Sequence, residues 1–149
     1  IPLSAIVTKD FYLIPTEWAV TGGENSSLGF LVETETSDGG TATSFVETTI
    51  YAEMTGEDQK SYYYVDTNSL EAGAVLVRSD SNSRFTVGET GTLEGVYCIN
   101  RGYAVFRRIS IIDQNDEYCI VETGTDYGIA QFDYIVYDGS SVNEDDILY

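Results

Sequence analysis

The hydrophobic residues of this chain recur in short alternating runs, and turn-forming residues interrupt these runs at close intervals. Alternation with a period of two is typical of strands that bury one face. Helical periodicity is nearly absent, so the pattern predicts an all-β protein. The expected strands are Ile1–Val7, Asp10–Pro15, Trp18–Val20, Phe30–Glu33, Ser44–Glu53, Tyr62–Asp66, Ala74–Arg78, Arg84–Val87, Val96–Asn100, Ala104–Ile112, Glu117–Glu122, Phe132–Tyr137 and Ile147–Tyr149. The pieces Thr67–Ala72 and Thr125–Ala130 are each long enough for a single helical turn only.

A weak internal repeat relates the two halves of the chain. The first copy runs from Gly29 to Asp80 and the second from Gly95 to Gly139, and each predicts a hairpin, a third strand, a Gly-marked turn and a fourth strand. Two unrelated meanders of similar length also look alike, so both explanations stay open. The pattern predicts two small antiparallel meander or barrel-like modules, with residues 1–90 holding the N-terminal strand and first module and residues 91–149 the second.

Charge excludes several classes of partner. The chain has 25 acidic and seven basic residues and no histidine, for a formal net charge of −18. A field of this sign repels nucleic acid and anionic lipid surfaces. The longest apolar runs are far shorter than a membrane-spanning helix needs, so we expect no direct membrane insertion by this segment. Because the chain begins at Ile1 rather than methionine, we expect that it is a processed or truncated form.

The residues that carry most enzyme chemistry are missing. Without histidine there is no Ser-His-Asp or Cys-His arrangement and no histidine metal site. No carboxylate pair stands out from the many acids, so we expect no enzymatic activity and no cofactor. The two cysteines, Cys98 and Cys119, are too few for a structural zinc site, and they fit either a disulfide or two buried thiols.

Calcium is a weak alternative. Asp113, Asn115 and Asp116 place oxygen ligands close together in one turn, as hard cations require. Asp80–Asn82 and a C-terminal group around Asp138 and Asn143–Asp146 are similar. None of them matches a dedicated calcium loop, and β-turns select the same residue types. The favoured interpretation is therefore a plain turn.

Two groups of residues are candidates for partner binding. Arg101, Arg107 and Arg108 gather three of the seven bases on one predicted hairpin and locally invert the sign of the charge. Alternation sends Arg107 and Arg108 to opposite faces, and isolated salt bridges are the competing explanation. Tyr62 and Tyr64 belong to a run of three tyrosines in a strand, where alternation exposes at least one ring. Half-buried sheet packing is the competing explanation for them.

The second half of the chain resembles a known family. The segment Gly95–Arg107 is similar to the opening hairpin of the membrane-proximal domain of periplasmic adaptor proteins, also called membrane fusion proteins, of the HlyD-like family. Glu117–Gly124 and Tyr127–Gly139 resemble the strands that follow in that domain, and Ile1–Val7 resembles the "V-P-x-S-A-V-V" strand that enters it. The overall style is that of the adaptor-like proteins of Gram-positive bacteria that accompany ABC-type exporters.

The resemblance implies a non-catalytic, extracytoplasmic subunit of an export or efflux transporter. Its partners would be the membrane subunit of an ABC-type transporter and, as a second class of contact, further copies of itself, and its membrane anchor would lie outside this chain. One departure is clear: about 85 residues separate the N-terminal strand from the hairpin, where the family has almost none. The alternative function is a cell-surface module that binds glycan or cell wall, with calcium as a conceivable aid.

Overall fold

The computed structural model describes residues 1–23, 26–123, 127–129, 134–136, 139 and 144. Its described residues form strands and two 3₁₀ helices, with no α-helix among them, which confirms the predicted all-β class. The 3₁₀ helices are η1 (Leu3–Ala5) and η2 (Thr16–Trp18). The strands are β1 (Val7–Pro15), β2 (Ala19–Gly22), β3 (Ser27–Glu35), β4 (Thr41–Glu47), β5 (Ile50–Thr55), β6 (Ser61–Val65), β7 (Val75–Val77), β8 (Arg84–Thr86), β9 (Thr90–Asn100), β10 (Tyr103–Arg108), β11 (Ile111–Gln114) and β12 (Cys119–Val121).

The chain divides into two compact units, one of which interrupts the other in sequence. Phe11–Gly91 form the first, which we name the inserted unit, and Ile1–Asp10 together with Thr92–Tyr149 form the second, the split unit. Residues 1–10 were predicted to belong with residues 11–90. They share a unit with the second half of the chain instead. Strands β1 and β9 each begin in one unit and end in the other.

The inserted unit buries one apolar core between its antiparallel strands. Strand β3 pairs with β4 on one side and with β2 and β7 on the other, and β6 pairs with β1 and β5. Trp18, the only tryptophan of the chain, is buried and stacks obliquely on Phe85, with ring centroids 5.9 Å apart. The buried core residues are Tyr12, Ile14, Trp18, Phe30, Val32, Val65, Leu70, Leu76 and Val87.

The split unit has a smaller core that depends on the N-terminal residues. Its buried members are Ala5, Val96, Cys98, Ile109 and Ile129. The backbone N–H of Leu3 donates to the carbonyl of Glu117 (2.7 Å), and the N–H of Cys119 donates to the carbonyl of Ile1 (2.7 Å). Cys98 and Cys119, both described, are buried thiols that are not joined in a disulfide.

The predicted repeat appears in the strand registers of the two units. The glycine that opens each copy pairs with the last residue of the next strand, and the residue three positions later pairs with an apolar residue of the predicted fourth strand. The matched pairs are Gly29–Glu47 and Val32–Leu76 in the inserted unit, and Gly95–Arg108 and Cys98–Ile135 in the split unit. Chance similarity of two meanders does not predict this agreement.

The third strands agree as well, including an irregularity. In each unit the register slips by one residue at the start of the hairpin that leads into the third strand, which is the mark of a β-bulge. The matched pairs are Ile50–Val65 followed by Ala52–Tyr64, and Ile111–Val121 followed by Asp113–Ile120. The two copies therefore share the hairpins and the bulge, and a pairing at the position of the fourth strand.

The copies also begin in the same way, which extends the repeat beyond its predicted start. The only two prolines, Pro2 and Pro15, each follow an isoleucine and each precede a 3₁₀ helix whose last residue is buried. Pro15 pairs with Tyr62, and Pro2 bridges to Tyr118, the residue that corresponds to Tyr62. The two units thus begin alike and share strand registers, and one interrupts the other in sequence.

Several predicted strand boundaries were wrong. Residues 1–7 do not form one strand, because a 3₁₀ turn buries Ala5 before β1 begins at Val7. The predicted strand Ser44–Glu53 breaks at Thr48, and Ala104–Ile112 breaks at Ile109; both residues turn inward and become buried. The chain leaves one strand partner for another at these points. Strand Ile147–Tyr149 lies outside the described residues, and only residues 127–129 of the turn Thr125–Ala130 and residues 134–136 of the strand Phe132–Tyr137 are described.

Candidate partner-binding site

Two of the predicted partner-binding residues lie side by side in one groove of the inserted unit. Tyr62 and Tyr64 project from the same face of β6, because residues two apart in a strand share a face. Tyr63, on the opposite face, packs against the core. With Leu13 and Met54, the two rings line a groove with a volume of about 400 Å³. All three tyrosines are half-buried, which agrees with the sheet-packing explanation, and Tyr62 and Tyr64 also line the groove.

Three acidic residues complete the lining of this groove. Glu57 and Asp58 lie in the loop between β5 and β6, and Glu89 immediately precedes β9. The backbone N–H of Leu13 donates to the carbonyl of Glu89 (2.9 Å), which ties that end of the groove to β1. Lys60, on the same loop, lines a different hollow beside Glu17. The groove therefore combines aromatic and aliphatic surface with carboxylates.

A hydrogen bond orients one of the two rings. The Tyr62 hydroxyl donates to the Asp58 carboxylate (2.5 Å), which also accepts the backbone N–H of Lys60 (3.0 Å). These two bonds hold the pKa of Asp58 below its ordinary value, and the bond from Tyr62 has the larger effect. The same bond raises the pKa of Tyr62. At neutral pH Asp58 is therefore an anion that fixes the loop and the Tyr62 ring together.

The three arginines do not form one patch. Arg101 is exposed in the β9–β10 turn, at a backbone φ of 53°. Arg107 and Arg108 are half-buried neighbours on β10 and point to opposite faces, as alternation predicted. Arg108 donates to the Ser110 hydroxyl (3.4 Å). They belong to the split unit, whereas the tyrosine groove belongs to the inserted unit.

The weak calcium candidates lie in the β11–β12 turn. The side-chain oxygen of Asn115 accepts the backbone N–H groups of Glu117 and Tyr118 (2.9 Å each), and an oxygen of Asp113 accepts the N–H of Gln114. These bonds are what a turn uses Asn and Asp for. Among the described residues, no three potential metal-ligating side chains come together. Asp138, Asn143, Asp145 and Asp146 lie outside the described residues.

An apolar surface on the split unit was not foreseen from the sequence. In the part of the chain that the structure describes, eight large hydrophobic side chains are exposed, and seven of them belong to this unit. Ile99, Tyr118 and Tyr134 line a hollow of about 730 Å³ together with Pro2 and Ile135. The signal was the presence of apolar residues at both alternating positions of β9 and of the β11–β12 hairpin.

The two copies differ at this surface. Ile99, which is 42% exposed, corresponds to Glu33 in the inserted unit, where the carboxylate is ion-paired with Arg84 (2.5 Å). One copy thus places an aliphatic side chain where the other places a charged pair.

No helix among the described residues has the length and apolar character needed to cross a membrane.

Comparison with protein-family models, with curated proteins and with solved structures finds no match to this chain.

Proposed function

We propose that this chain is part of a non-catalytic adaptor subunit of an export transporter, of the membrane fusion protein type. The subunit acts outside the cytoplasm and is held at the membrane by a segment that does not belong to this chain. Its partner is the membrane subunit of the transporter, with further copies of itself as a second class of contact. The observation that carries the proposal is that residues 1–10 and 92–149 build one unit.

This grouping removes the main departure from the adaptor resemblance. In that family the strand resembling Ile1–Val7 enters the same domain as the hairpin resembling Gly95–Arg107. Here residues 11–91 intervene in sequence, yet the N-terminal residues pair with Glu117–Cys119 and bury Ala5 in the core of the split unit. An adaptor domain interrupted by a duplicated module accounts for both the likeness and the extra length.

The exposed apolar side chains of the split unit are the second support. Contiguous apolar surface is typical of protein-binding faces, because burying it against a partner releases it from water. A subunit that works by contact needs such a face and no reacting groups. Ile99 and Tyr118 therefore mark the region where we expect the transporter subunit or a neighbouring copy to bind.

Site-specific photo-crosslinking in the native cell tests the proposal. The full-length protein carries a photoreactive phenylalanine analogue at Ile99 or Tyr118, and mass spectrometry identifies the adducts in the membrane fraction. We expect adducts with a polytopic transporter subunit. The matched control carries the same analogue at Glu71, an exposed position of the inserted unit.

Two results would count against the adaptor role. One is a set of adducts that contains no transporter subunit from either position in the split unit. The other is the same adduct, with the same yield, from Glu71, because it would reflect proximity to abundant membrane proteins rather than docking. A double variant, Ile99→Asp with Tyr118→Asp, is expected to reduce co-purification with the transporter while unfolding remains cooperative.

A further inference from the structure

The groove between the Tyr62 and Tyr64 rings has the composition of a site for a cationic group. Its walls are aromatic and aliphatic, and Glu57, Asp58 and Glu89 contribute three carboxylates. We propose that this groove of the inserted unit binds an arginine-containing segment of a partner protein. The groove belongs to a different unit from the exposed apolar surface around Ile99 and Tyr118. The proposal therefore does not depend on the adaptor role.

The negative charge of the groove is largely uncompensated. The inserted unit contains 13 acidic and three basic residues. Two of those bases are engaged elsewhere, since Arg84 pairs with Glu33 and Arg78 lies near Glu17 and Asp80. Neither Glu57 nor Glu89 forms an ion pair with a described residue. A cation in the groove therefore meets Glu57 and Glu89 without a competing cation, whereas Asp58 is also influenced by the charge of Lys60.

A guanidinium group fits the side chains that line the groove. Arginine stacks on tyrosine rings through its planar charged face and donates several hydrogen bonds to carboxylates at the same time. Leu13 and Met54 add aliphatic surface for the stem of the arginine or for an apolar neighbour in the bound segment. The volume of about 400 Å³ suits a few side chains of an extended peptide.

The hairpin that carries the groove acids is longer than its counterpart in the other copy. The split unit ends its equivalent hairpin soon after Gln114–Cys119, which matches Glu53–Tyr63. The inserted unit continues for two more pairs, ending at Thr55–Ser61, and then adds the loop that carries Glu57 and Asp58. The acidic part of the groove is thus an extension that only one copy possesses. Loops that vary on a shared scaffold are where binding residues concentrate.

A neutral sugar is the main rival occupant. Tyrosine rings stack on sugars, and carboxylates accept sugar hydroxyls. A neutral ligand, however, leaves the charge of Glu57 and Glu89 uncompensated while it removes water from them. The charge of the groove therefore favours arginine over sugar.

Fluorescence anisotropy with a labelled peptide tests the proposal on the 149-residue chain. The probe is a short peptide with two arginines separated by leucine, and its control replaces both arginines by citrulline, which keeps the shape and removes the charge. We expect the citrulline peptide to bind about tenfold more weakly, and added salt to weaken the arginine peptide. Tyr64→Ala is expected to weaken it about threefold.

A charge-matched pair of variants separates the groove from the general acidity of the protein. Glu57→Gln with Glu89→Gln is expected to weaken the arginine peptide about tenfold. Glu35→Gln with Glu71→Gln removes the same charge from exposed positions outside the groove and is expected to change binding less than twofold. Asp58 is left intact in both because it holds the loop.

Three outcomes would overturn the proposal. Equal binding of the citrulline peptide would show that charge is not recognised, and equal weakening by the two double variants would show that the groove is not the site. Binding of a neutral cell-wall oligosaccharide that Tyr64→Ala abolishes, without binding of the arginine peptide, would assign the groove to glycan. Retained cooperative unfolding of each variant excludes loss of fold as the cause.

Discussion

The Tyr62–Asp58 hydrogen bond couples the ionisation of the two side chains. Because the neutral hydroxyl donates to an anion, the bond favours protonated Tyr62 and ionised Asp58, which is why their pKa values move apart. For Tyr62 the folded pKa is raised, so the stabilisation is complete below the unfolded pKa and is lost as pH rises through the folded value. For Asp58 the folded pKa is lowered, so its stabilisation is present above the unfolded value near 3.8 and is lost as pH falls.

Asp58→Asn is therefore predicted to lower the pKa of Tyr62 toward that of a free tyrosine, since an amide oxygen accepts the bond without a negative charge. Titration of the tyrosine ¹³Cζ resonances by NMR measures this directly, and the Tyr62→Phe variant identifies the signal. Asp66→Asn is the control, because Asp66 caps the next turn through the N–H of Asn68 (3.0 Å) and has no bond to Tyr62. An unchanged Tyr62 titration in Asp58→Asn would contradict the assigned cause.

At the scale of elements, the hairpin that opens each copy is built around a glycine covered by a phenylalanine ring. Gly29 of β3 lies under Phe45 of β4, and Gly95 of β9 lies under Phe106 of β10. In each case a Cβ would also meet the carbonyl oxygen of the neighbouring strand, Val46 or Arg107. An aromatic ring that covers a glycine of the neighbouring strand fixes the register of the two strands. This feature therefore specifies the same register in both units.

Gly29→Ala is predicted to destabilise the inserted unit by about 1–3 kcal/mol, and Gly95→Ala to do the same to the split unit, because a backbone carbonyl cannot move aside as a side chain can. Denaturant unfolding followed by Trp18 fluorescence reports the inserted unit, and hydrogen exchange of β9 reports the split unit. Gly88→Ala is the matched control, since its Cβ would meet nothing within 4 Å. An alanine tolerated at both positions without loss would refute the proposed role of the ring.

The sequence predicted these elements unevenly, for physical reasons. Alternation placed Tyr62 and Tyr64 on one face of a strand, because that signal is local. The breaks at Thr48 and Ile109 were missed, since a strand that changes partner keeps its alternation. The groove acids could not be assigned either, because Glu89 is distant in sequence and only tertiary pairing brings it to the loop with Glu57.

At the scale of the whole molecule, two units with matching strand registers are present, and the sequence of one interrupts that of the other. The described core cluster around Trp18 contains only residues between Tyr12 and Val87, all of which belong to the inserted unit. A fragment of residues 11–91 is therefore predicted to fold alone, with buried Trp18 emission and one cooperative unfolding transition. Loss of that transition in the fragment, with the intact chain still cooperative, would show that the unit depends on residues outside it.

The split unit makes the opposite prediction, because its two segments are far apart in sequence. Residues 92–149 alone lack Ala5, which is fully buried, and the N-terminal backbone that pairs with Glu117 and Cys119. We expect this fragment to give a poorly dispersed NMR spectrum. Joining residues 1–10 to residue 92 through a Gly/Ser linker of about eight residues is expected to restore dispersion, since loop closure of this length costs little.

A linked fragment with Ala5→Asp separates specific packing from the mere addition of residues, because a buried carboxylate without a partner is strongly unfavourable. It is expected to stay as poorly dispersed as residues 92–149 alone. If residues 92–149 instead fold equally well without the N-terminal segment, the segment is not part of that core, and the observation that carries the adaptor proposal is lost. If they need it, the split unit is completed by two segments that lie far apart in sequence, as the adaptor proposal requires.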